Sequence, residues 1–355
     1  LVSNHPSSLN YQKETGISTP IHATLIEGDG IGPEIIAATL EVLEAMKAPF
    51  VWERHLAGLS AVEETGELLP ESMLESVRKN HLALKGPLET PVGSGFRSAN
   101  VRLREIFKLY ANVRPARTYV KGGRYEDIDL VLIRENTEGF YVGVENYVPI
   151  DDDPKAVAQG TGFNTRAGCR RIAEFAFEYA IKHGRKKVTI VHKANILKYL
   201  TGLFLETAYE VGEKYKDKLT IEDKIVDNCA MQLVLNPSQY DVLVTTNMFG
   251  DILSDEIAGL VGGLGLAPGG NIGKHGCIFE AVHGTAPDIA GQGKANPTAV
   301  MLAAAMMLDH VHHHEMAEQL RNAIHRSIDE GIRTVDIGGS ASTEEYTRAI
   351  IERLD

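Results

Sequence analysis

Two acids with nothing softer beside them give the first chemical reading of this chain. In N-M-F-G-D-I-L-S-D, residues 247–255, Asp251 and Asp255 stand four apart. On a helix their carboxylates project from one face. With no Cys or His nearby they offer hard oxygen ligands suited to Mg2+ or Mn2+. The same spacing also serves helix capping and an exposed polar face. Asp227, at the end of a strand expected over residues 221–226, is a candidate third carboxylate. Further along, H-G-T-A-P-D-I-A-G, residues 283–291, gathers Gly, Pro and small side chains. Such a loop lets backbone approach a flat or phosphorylated ligand. A divalent cation and a nucleotide are the chemistry these clusters point to.

Cations for an anionic substrate come next. Between Arg97 and Arg117 there are six bases (Arg97, Arg102, Arg104, Lys108, Arg114, Arg117) against one acid, Glu105. Guanidinium forks match carboxylates in a bidentate way, and Ser98 and Asn100 add neutral hydrogen-bonding groups to the same stretch. On charge pattern alone a solvated basic helix face is the better account. Arg134, in R-E-N-T-E-G directly after an apolar run, favours the anion site, because strand carboxyl ends in α/β folds are where ligands bind. Tyr141 and Lys193 also follow expected strands. A phenol near cations can donate a proton, and a lysine near a cation-bound ligand can act as base; packing and a plain surface lysine are the alternatives. G-D-G-I-G-P-E, residues 28–34, has G-x-G-x-G spacing, not the G-x-G-x-x-G of a pyrophosphate loop, and Pro33 removes a helix donor. It reads as a tight turn or as a nucleotide loop. His310, His312, His313 and His314 fall at a helix break without a partner Cys, which favours adventitious metal binding.

Composition narrows the class. At 355 residues the chain should form two lobes. A formal charge of −12 argues against nucleic acid or an anionic membrane as partner, while leaving room for a local basic pocket. Cys169, Cys229 and Cys277 lack metal-ligand spacing and fit structural thiols in a reducing compartment. The apolar run at residues 299–308 is too short to span a bilayer and reads as a buried helix. Residues 1–20 are polar, without a signal-peptide core or Arg. A bacterial cytoplasm is the expected compartment, with the mitochondrial matrix as alternative.

The elements that must position these residues alternate. Strands are expected at residues 23–28, 50–54, 82–85, 130–133, 188–191, 220–226, 241–245 and 277–280. Helices are expected at 33–46, 71–79, 99–107, 166–183, 199–216, 249–262, 297–310, 314–331 and 343–353. Alternation of this kind is the α/β signature. Residues 140–163 break it with a strand-like run and a Pro-Ile-Asp-Asp-Asp-Pro turn. That arm is either an ordinary exposed hairpin or a segment that pairs with a second copy of the chain.

Taken together the motifs resemble the β-decarboxylating dehydrogenases, the family of isocitrate and isopropylmalate dehydrogenases. The likeness rests on G-D-G-I-G-P-E, N-V-R-P, R-E-N-T-E-G, H-K-A-N, N-x-x-G-D-x-x-S-D and H-G-T-A-P-D-I-A-G-x-x-x-A-N-P, from about residue 24 to residue 308. It implies a two-domain, non-Rossmann α/β fold, with a large discontinuous domain (1–108 and 262–355, the cofactor side) and a small one (109–261). The latter includes a clasp arm at 141–163 for dimerisation, and the active site lies in the interdomain cleft.

The resemblance also implies roles. Tyr141 and Lys193 match the catalytic pair, and Asp227, Asp251 and Asp255 the ligands of Mg2+ or Mn2+. Thr90, Ser98, Asn100, Arg104, Arg114 and Arg134 match substrate-binding positions, Ser98 and Asn100 gripping the distal carboxylate of isocitrate. Asn195, Glu280, His283, Gly284, Thr285, Ala286, Pro287, Asp288, Ile289 and Asn296 match the cofactor side. Asp288-Ile289 stands where NADP-using relatives carry Lys-Tyr. A carboxylate there accepts from a ribose hydroxyl and repels a 2′-phosphate, so the resemblance points to NAD. The expected partner is a second copy that lends Lys193 and Asp227, in a homodimer or a higher homo-oligomer. Sibling substrates (homoisocitrate, tartrate, 3-isopropylmalate) and a regulatory role within a hetero-oligomer are the alternatives.

Overall fold

The computed structural model describes residues 20–91 and 97–354. The reading of residues 1–20, apart from Pro20, and residues 92–96 of the stretch before Arg97 lie outside the described residues.

The chain forms two compact units, one of residues 1–109, 118–126 and 261–355, the other of residues 110–117 and 127–260. Residues 118–126 therefore pack with the first unit, although the expected small domain ran unbroken from 109 to 261.

The first unit opens with β1 (Ile21–Ile26), α1 (Gly32–Ala45), β2 (Phe50–His55), α2 (Leu59–Thr65), α3 (Glu71–Asn80), β3 (Leu82–Lys85) and α4 (Ala99–Ile106). The second unit follows with β4 (Ala111–Arg117), β5 (Asp129–Glu135), β6 (Gly139–Ile150), β7 (Asp153–Phe163), α5 (Arg166–Lys182), β8 (Lys187–His192), α6 (Leu200–Gly212), β9 (Thr220–Ile225), α7 (Val226–Leu235), β10 (Val242–Thr245) and α8 (Asn247–Val261). The chain then returns to the first unit with β11 (Pro268–Ile272), β12 (Cys277–Ala281), α9 (Thr298–His310), α10 (His314–Asp329) and α11 (Thr343–Ile351).

Strands of the first unit run in the order β2-β1-β3-β12-β11, parallel except for the last pair. Residues 299–308 are indeed a buried helix: α9 has apolar residues all round and sits in the middle of this unit's core, with Ala299, Met301, Ala303 and Leu308 fully enclosed. A helix without a polar face has to be central. The G-D-G-I-G-P-E turn resolves as a structural clamp. Asp29 accepts from the backbone N–H groups of Leu59, Ser60 and Glu89, and Glu34 accepts from those of Gly293 and Ala295. A Cβ at Gly30 would stand 2.1 Å from the Thr285 carbonyl oxygen, so glycine is what lets this turn seat the 283–291 loop.

In the second unit the order is β4-β5-β10-β8-β9, with β4 antiparallel to β5 and the others parallel. β5, β10 and β8 are almost wholly buried, which explains their continuous apolar runs. Register aligns Thr245 with both Arg134 and Val191, and His192 with Ile225. The carboxyl ends of four neighbouring strands thus form one edge. β6 and β7 pair antiparallel as a two-stranded arm whose Val144, Tyr147 and Ile150 are exposed. Among the described residues no helix is long and apolar enough to cross a membrane.

Candidate active site

The edge of the second unit carries most of the chemistry. Arg134, next to last in β5, has only 1% of its surface exposed, and Arg114 on β4 is 9% exposed. Burying guanidinium groups requires partners, and α8 supplies them. Arg134 donates through Nε and Nη2 to Asn247 Oδ1 at 3.0 and 2.7 Å, and its Nη1 pairs with Asp251. Arg114 donates from Nε to Asn112 Oδ1 at 2.6 Å and from Nη1 to Ser254 Oγ; it stands 3.6 Å from Asp251 and 3.5 Å from Asp255. Tyr141 donates its phenol proton to Asp251 Oδ2 at 3.0 Å while Arg134 lies 5.5 Å over its ring. The i, i+4 spacing on α8 does bring Asp251 and Asp255 together. Burial raises the Asp255 carboxyl above its usual range, with Asp251 adding to that and Arg114 and Arg134 opposing it.

Lys193 and Asp227 form a second group along the same edge. Lys193 directly follows β8, and its Nζ pairs with Asp227. That pairing holds Asp227 below the usual carboxylate range. Asp227 does not end a strand: β9 stops at Ile225, and Asp227 lies in the first turn of α7, where a carboxylate meets the helix dipole favourably. Sequence alone missed the support beneath Lys193. His192 Nδ1 accepts from the Ala194 N–H at 2.9 Å, so its Nε2 carries the proton donated to Asp223 Oδ2 at 2.9 Å. Tyr209 donates to the other Asp223 oxygen at 2.6 Å. Among the described residues, no three His, Cys, Asp or Glu groups converge as a metal site. Asp227 and the pair Asp251/Asp255 are therefore separate within one chain. Asn195, in the turn after Lys193, is exposed.

In the first unit, Thr90 Oγ1 accepts from the Ala99 N–H at 3.0 Å and Ser98 caps α4 from a hydroxyl 3.5 Å from the Val101 N–H. Asn100 Oδ1 is buried without a partner. Arg104 sits on α4, and its charge acts on Glu280. The basic stretch 97–117 is thus divided: Arg97, which pairs with Glu105 at 2.7 Å, Arg102, Arg104 and Lys108 belong to the first unit, Arg114 and Arg117 to the second. Glu280 is buried beside Lys85, 2.6 Å from its Nζ, and accepts from Asn271 Nδ2 at 2.6 Å. Burial would raise its carboxyl, but Lys85, Arg104 and Asn271 hold it at about 2.

The 283–291 loop is strained and partly unsatisfied. Ala286 has φ +38°, a left-handed conformation that a non-glycine residue adopts only under constraint. Thr285 contributes its carbonyl to the Ile31 N–H at 2.8 Å and a hydroxyl 3.4 Å from Glu89; Gly284 leaves open space where a Cβ would stand. His283 Nδ1 lies 2.9 Å from the Gly284 carbonyl, so Nδ1 carries the proton and Nε2 is a bare acceptor, buried with no partner. Burial lowers the His283 pKa and keeps the ring neutral. Asp288 and Pro287 are exposed, and Ile289 packs against the core. Asn296 ties the loop down: its Oδ1 accepts from the Thr298 N–H and hydroxyl, and its Nδ2 donates to Asp336.

Two donor sets can be tested against the expected groups. Asp251 and Asp255 offer only carboxylate oxygens on one helix face, the chemistry of an Mg2+ or Mn2+ site. The unpartnered His283 Nε2 suits an N–H donor such as the exocyclic amine of an adenine. Among His310, His312, His313 and His314, His310 lies 3.4 Å from Cys277 Sγ and His314 pairs with Asp309 at 2.9 Å. All three cysteines are unpaired and buried, their thiols pushed up to about 12, 11 and 12, as structural thiols should be.

Residues 22–350 match the family described as isocitrate/isopropylmalate dehydrogenase. Isocitrate dehydrogenase [NAD] catalytic subunit 5, mitochondrial, of Arabidopsis thaliana is 50% identical over 342 residues, 95% of this chain and 89% of that protein. A regulatory subunit of the mitochondrial isocitrate dehydrogenase [NAD] of Dictyostelium discoideum is 46% identical, covering 97% of this chain and 94% of that protein. The chloroplastic 3-isopropylmalate dehydrogenase of Solanum tuberosum is 47% identical, covering 88% and 87%. A crystal structure of isocitrate dehydrogenase from Methylococcus capsulatus superposes with a TM-score of 0.90 at 48% identity, covering 94% of this chain and 99% of that one. Fold and match together define a decarboxylating dehydrogenase. The chain belongs to the isocitrate/isopropylmalate dehydrogenase family.

Proposed function

We propose that this chain oxidatively decarboxylates isocitrate to 2-oxoglutarate and CO2 and reduces NAD, with Mg2+ or Mn2+ bound. The observation that carries the reading is the group of two buried guanidiniums, two carboxylates and a tyrosine hydroxyl at the strand edge of the second unit. Arg104, Arg114 and Arg134 grip the substrate carboxylates, with Thr90, Ser98 and Asn100 at the distal one. The buried, unpartnered end of the Asn100 amide supports that role, since rotation presents either O or N there. Lys193 Nζ, released from Asp227, takes the proton of the substrate hydroxyl; NAD, when bound, would accept the hydride. Tyr141 Oη gives a proton to the carbon from which CO2 departs. A cation held by Asp251, Asp255 and Asp227 would supply the positive charge that the developing enolate oxygen needs. Glu280, Asn195, Asn296 and residues 283–289 would hold the NAD.

Because Asp227 and Lys193 stand apart from Asp251 within one chain, the reading requires a second copy that lends them. Exposed apolar side chains on the arm (Val144, Tyr147, Ile150), on α7 (Met231, Leu235) and on α8 (Ile252) support such a partner surface. A homodimer, or a larger assembly of dimers, follows. The Dictyostelium relative is a regulatory subunit, which supports a hetero-oligomer as second reading; intact Tyr141, Lys193 and all three aspartates favour self-sufficiency. The named relatives are mitochondrial, which supports a mitochondrial compartment, the alternative reading, over a bacterial cytoplasm.

The purified single chain, assayed with isocitrate, homoisocitrate, tartrate and 3-isopropylmalate against NAD and NADP in each metal, tests the proposal. Isocitrate with NAD should give the highest kcat/KM. A preference for 3-isopropylmalate, or activity only after a different chain is added, would overturn it.

A further inference from the structure

We propose that Asn247 is a positioning residue for Arg134, and that it is an amide, not a carboxylate, so that Arg134 keeps its charge for an anionic substrate. The inference rests on the proposed function. Asn247 is the first residue of α8, one residue removed from the end of β10, and 3% exposed. Its single oxygen receives both Nε and Nη2 of Arg134, and its Nδ2 donates to the Glu138 carbonyl at 2.9 Å. The amide can face only one way, because turning it over would set N–H against N–H and carbonyl against carbonyl. Gly250 completes the seat: a Cβ there would fall 2.6 and 2.7 Å from Arg134 Cγ and Cβ. The first turn of α8 is therefore shaped around one side chain, with room given at residue 250 and direction at residue 247.

Charge explains the choice of amide. Arg114 and Arg134 contribute +2 and Asp251 and Asp255 contribute −2, a balance of zero before any ligand arrives. A carboxylate at 247 would shift it to −1 and form a charge-assisted fork with Arg134 that competes with substrate carboxylates. The same added charge, one helical turn before Asp251, would attract a divalent cation.

Asn247→Asp and Asn247→Ala separate geometry from charge. In the full chain, Asn247→Asp should raise KM about 10- to 100-fold with kcat within about 3-fold, as expected for lost ground-state binding of a carboxylate. Mn2+ affinity by calorimetry should hold or tighten. Asn247→Ala, which adds no charge, should weaken Mn2+ binding or leave it unchanged. An unchanged KM in Asn247→Asp overturns the proposal. So does parallel weakening of substrate and Mn2+ in both variants with a matching loss of Tm, the signature of a merely structural residue. A wild-type chain inactive on every 2-hydroxy acid would sink the function reading instead. Calorimetric binding of isocitrate to wild type and Asn247→Asp would then still decide the role of Asn247.

Discussion

Replacing Lys85 with Met should destabilise the first unit and reverse how one carboxyl links stability to pH. Lys85 is 2% exposed, and its Nζ lies 2.6 Å from Glu280. In the intact protein Glu280 titrates at about 2 against an ordinary 4.5. At about 1.36 kcal/mol per pH unit, that depression contributes roughly 3 kcal/mol. A folded carboxyl that titrates below the unfolded one adds stability that is complete above about pH 4.5 and lost as pH falls toward 2. Without Lys85 the burial effect dominates and the folded carboxyl rises above its unfolded value. Stability from this group is then complete below the unfolded pKa and lost as pH rises through the folded one. Removing one partner of a buried pair costs about 3–5 kcal/mol, and Arg104 and Asn271, which remain, hold the loss near the lower figure. Urea unfolding followed by Trp52, the sole tryptophan, on β2 of the same unit, reads it directly. The gap between wild type and variant should be at least about 3 kcal/mol at pH 7 and narrow by about 1 kcal/mol or more near pH 4.5, where the variant's buried carboxyl takes up a proton. Lys85→Met/Glu280→Gln should recover much of the loss. An equal gap at both pH values, or a double variant no better than the single, would refute the reasoning.

Other consequences are direct. Asp288→Lys with Ile289→Tyr should move the kcat/KM ratio toward NADP; an unchanged ratio refutes the ribose-hydroxyl role of Asp288. Tyr141→Phe removes the phenol 3.0 Å from Asp251 and should spare reduction of oxalosuccinate more than overall decarboxylation; equal loss of both counts against proton donation. At His192, an Asn keeps an acceptor for the Ala194 N–H, whereas a Gln reaches only Asp223. His192→Asn should therefore retain at least about 10-fold more kcat than His192→Gln if the turn before Lys193 is what matters.

Much of the fold was legible because parallel strands buried on both faces have to be apolar runs, as at β5, β8 and β10. Four elements were not. β4 (A-N-V-R-P-A-R) reads as a basic patch, since the partners that let Arg114 be buried lie far away in sequence on α8. β11 (P-G-G-N-I) carries no strand pattern; its Gly270 leaves room for Phe279 and Met306. α7 begins at the next residue after β9, without a capping side chain to mark the join. α2 is short and starts after a glycine at φ +87°. In the site, Asp251, Asp255 and Arg134 announced themselves by spacing and strand-end position. Asn247, Gly250, Lys85 and the His192–Asp223–Tyr209 chain did not, because each role exists only once distant segments meet.

Under the proposed function, two groups separated within each chain, Lys193 with Asp227 and Arg134 with Tyr141, Asp251 and Asp255, complete one active site across two copies. Mixing tests it. Lys193→Met and Asp251→Asn chains, each inactive alone, are unfolded together and refolded in equal amounts. Random pairing makes about half the dimers mixed, each with one intact composite site, so activity should return to roughly a quarter of wild type. A mixture as inactive as its parents, from dimers shown to have exchanged, would contradict the account.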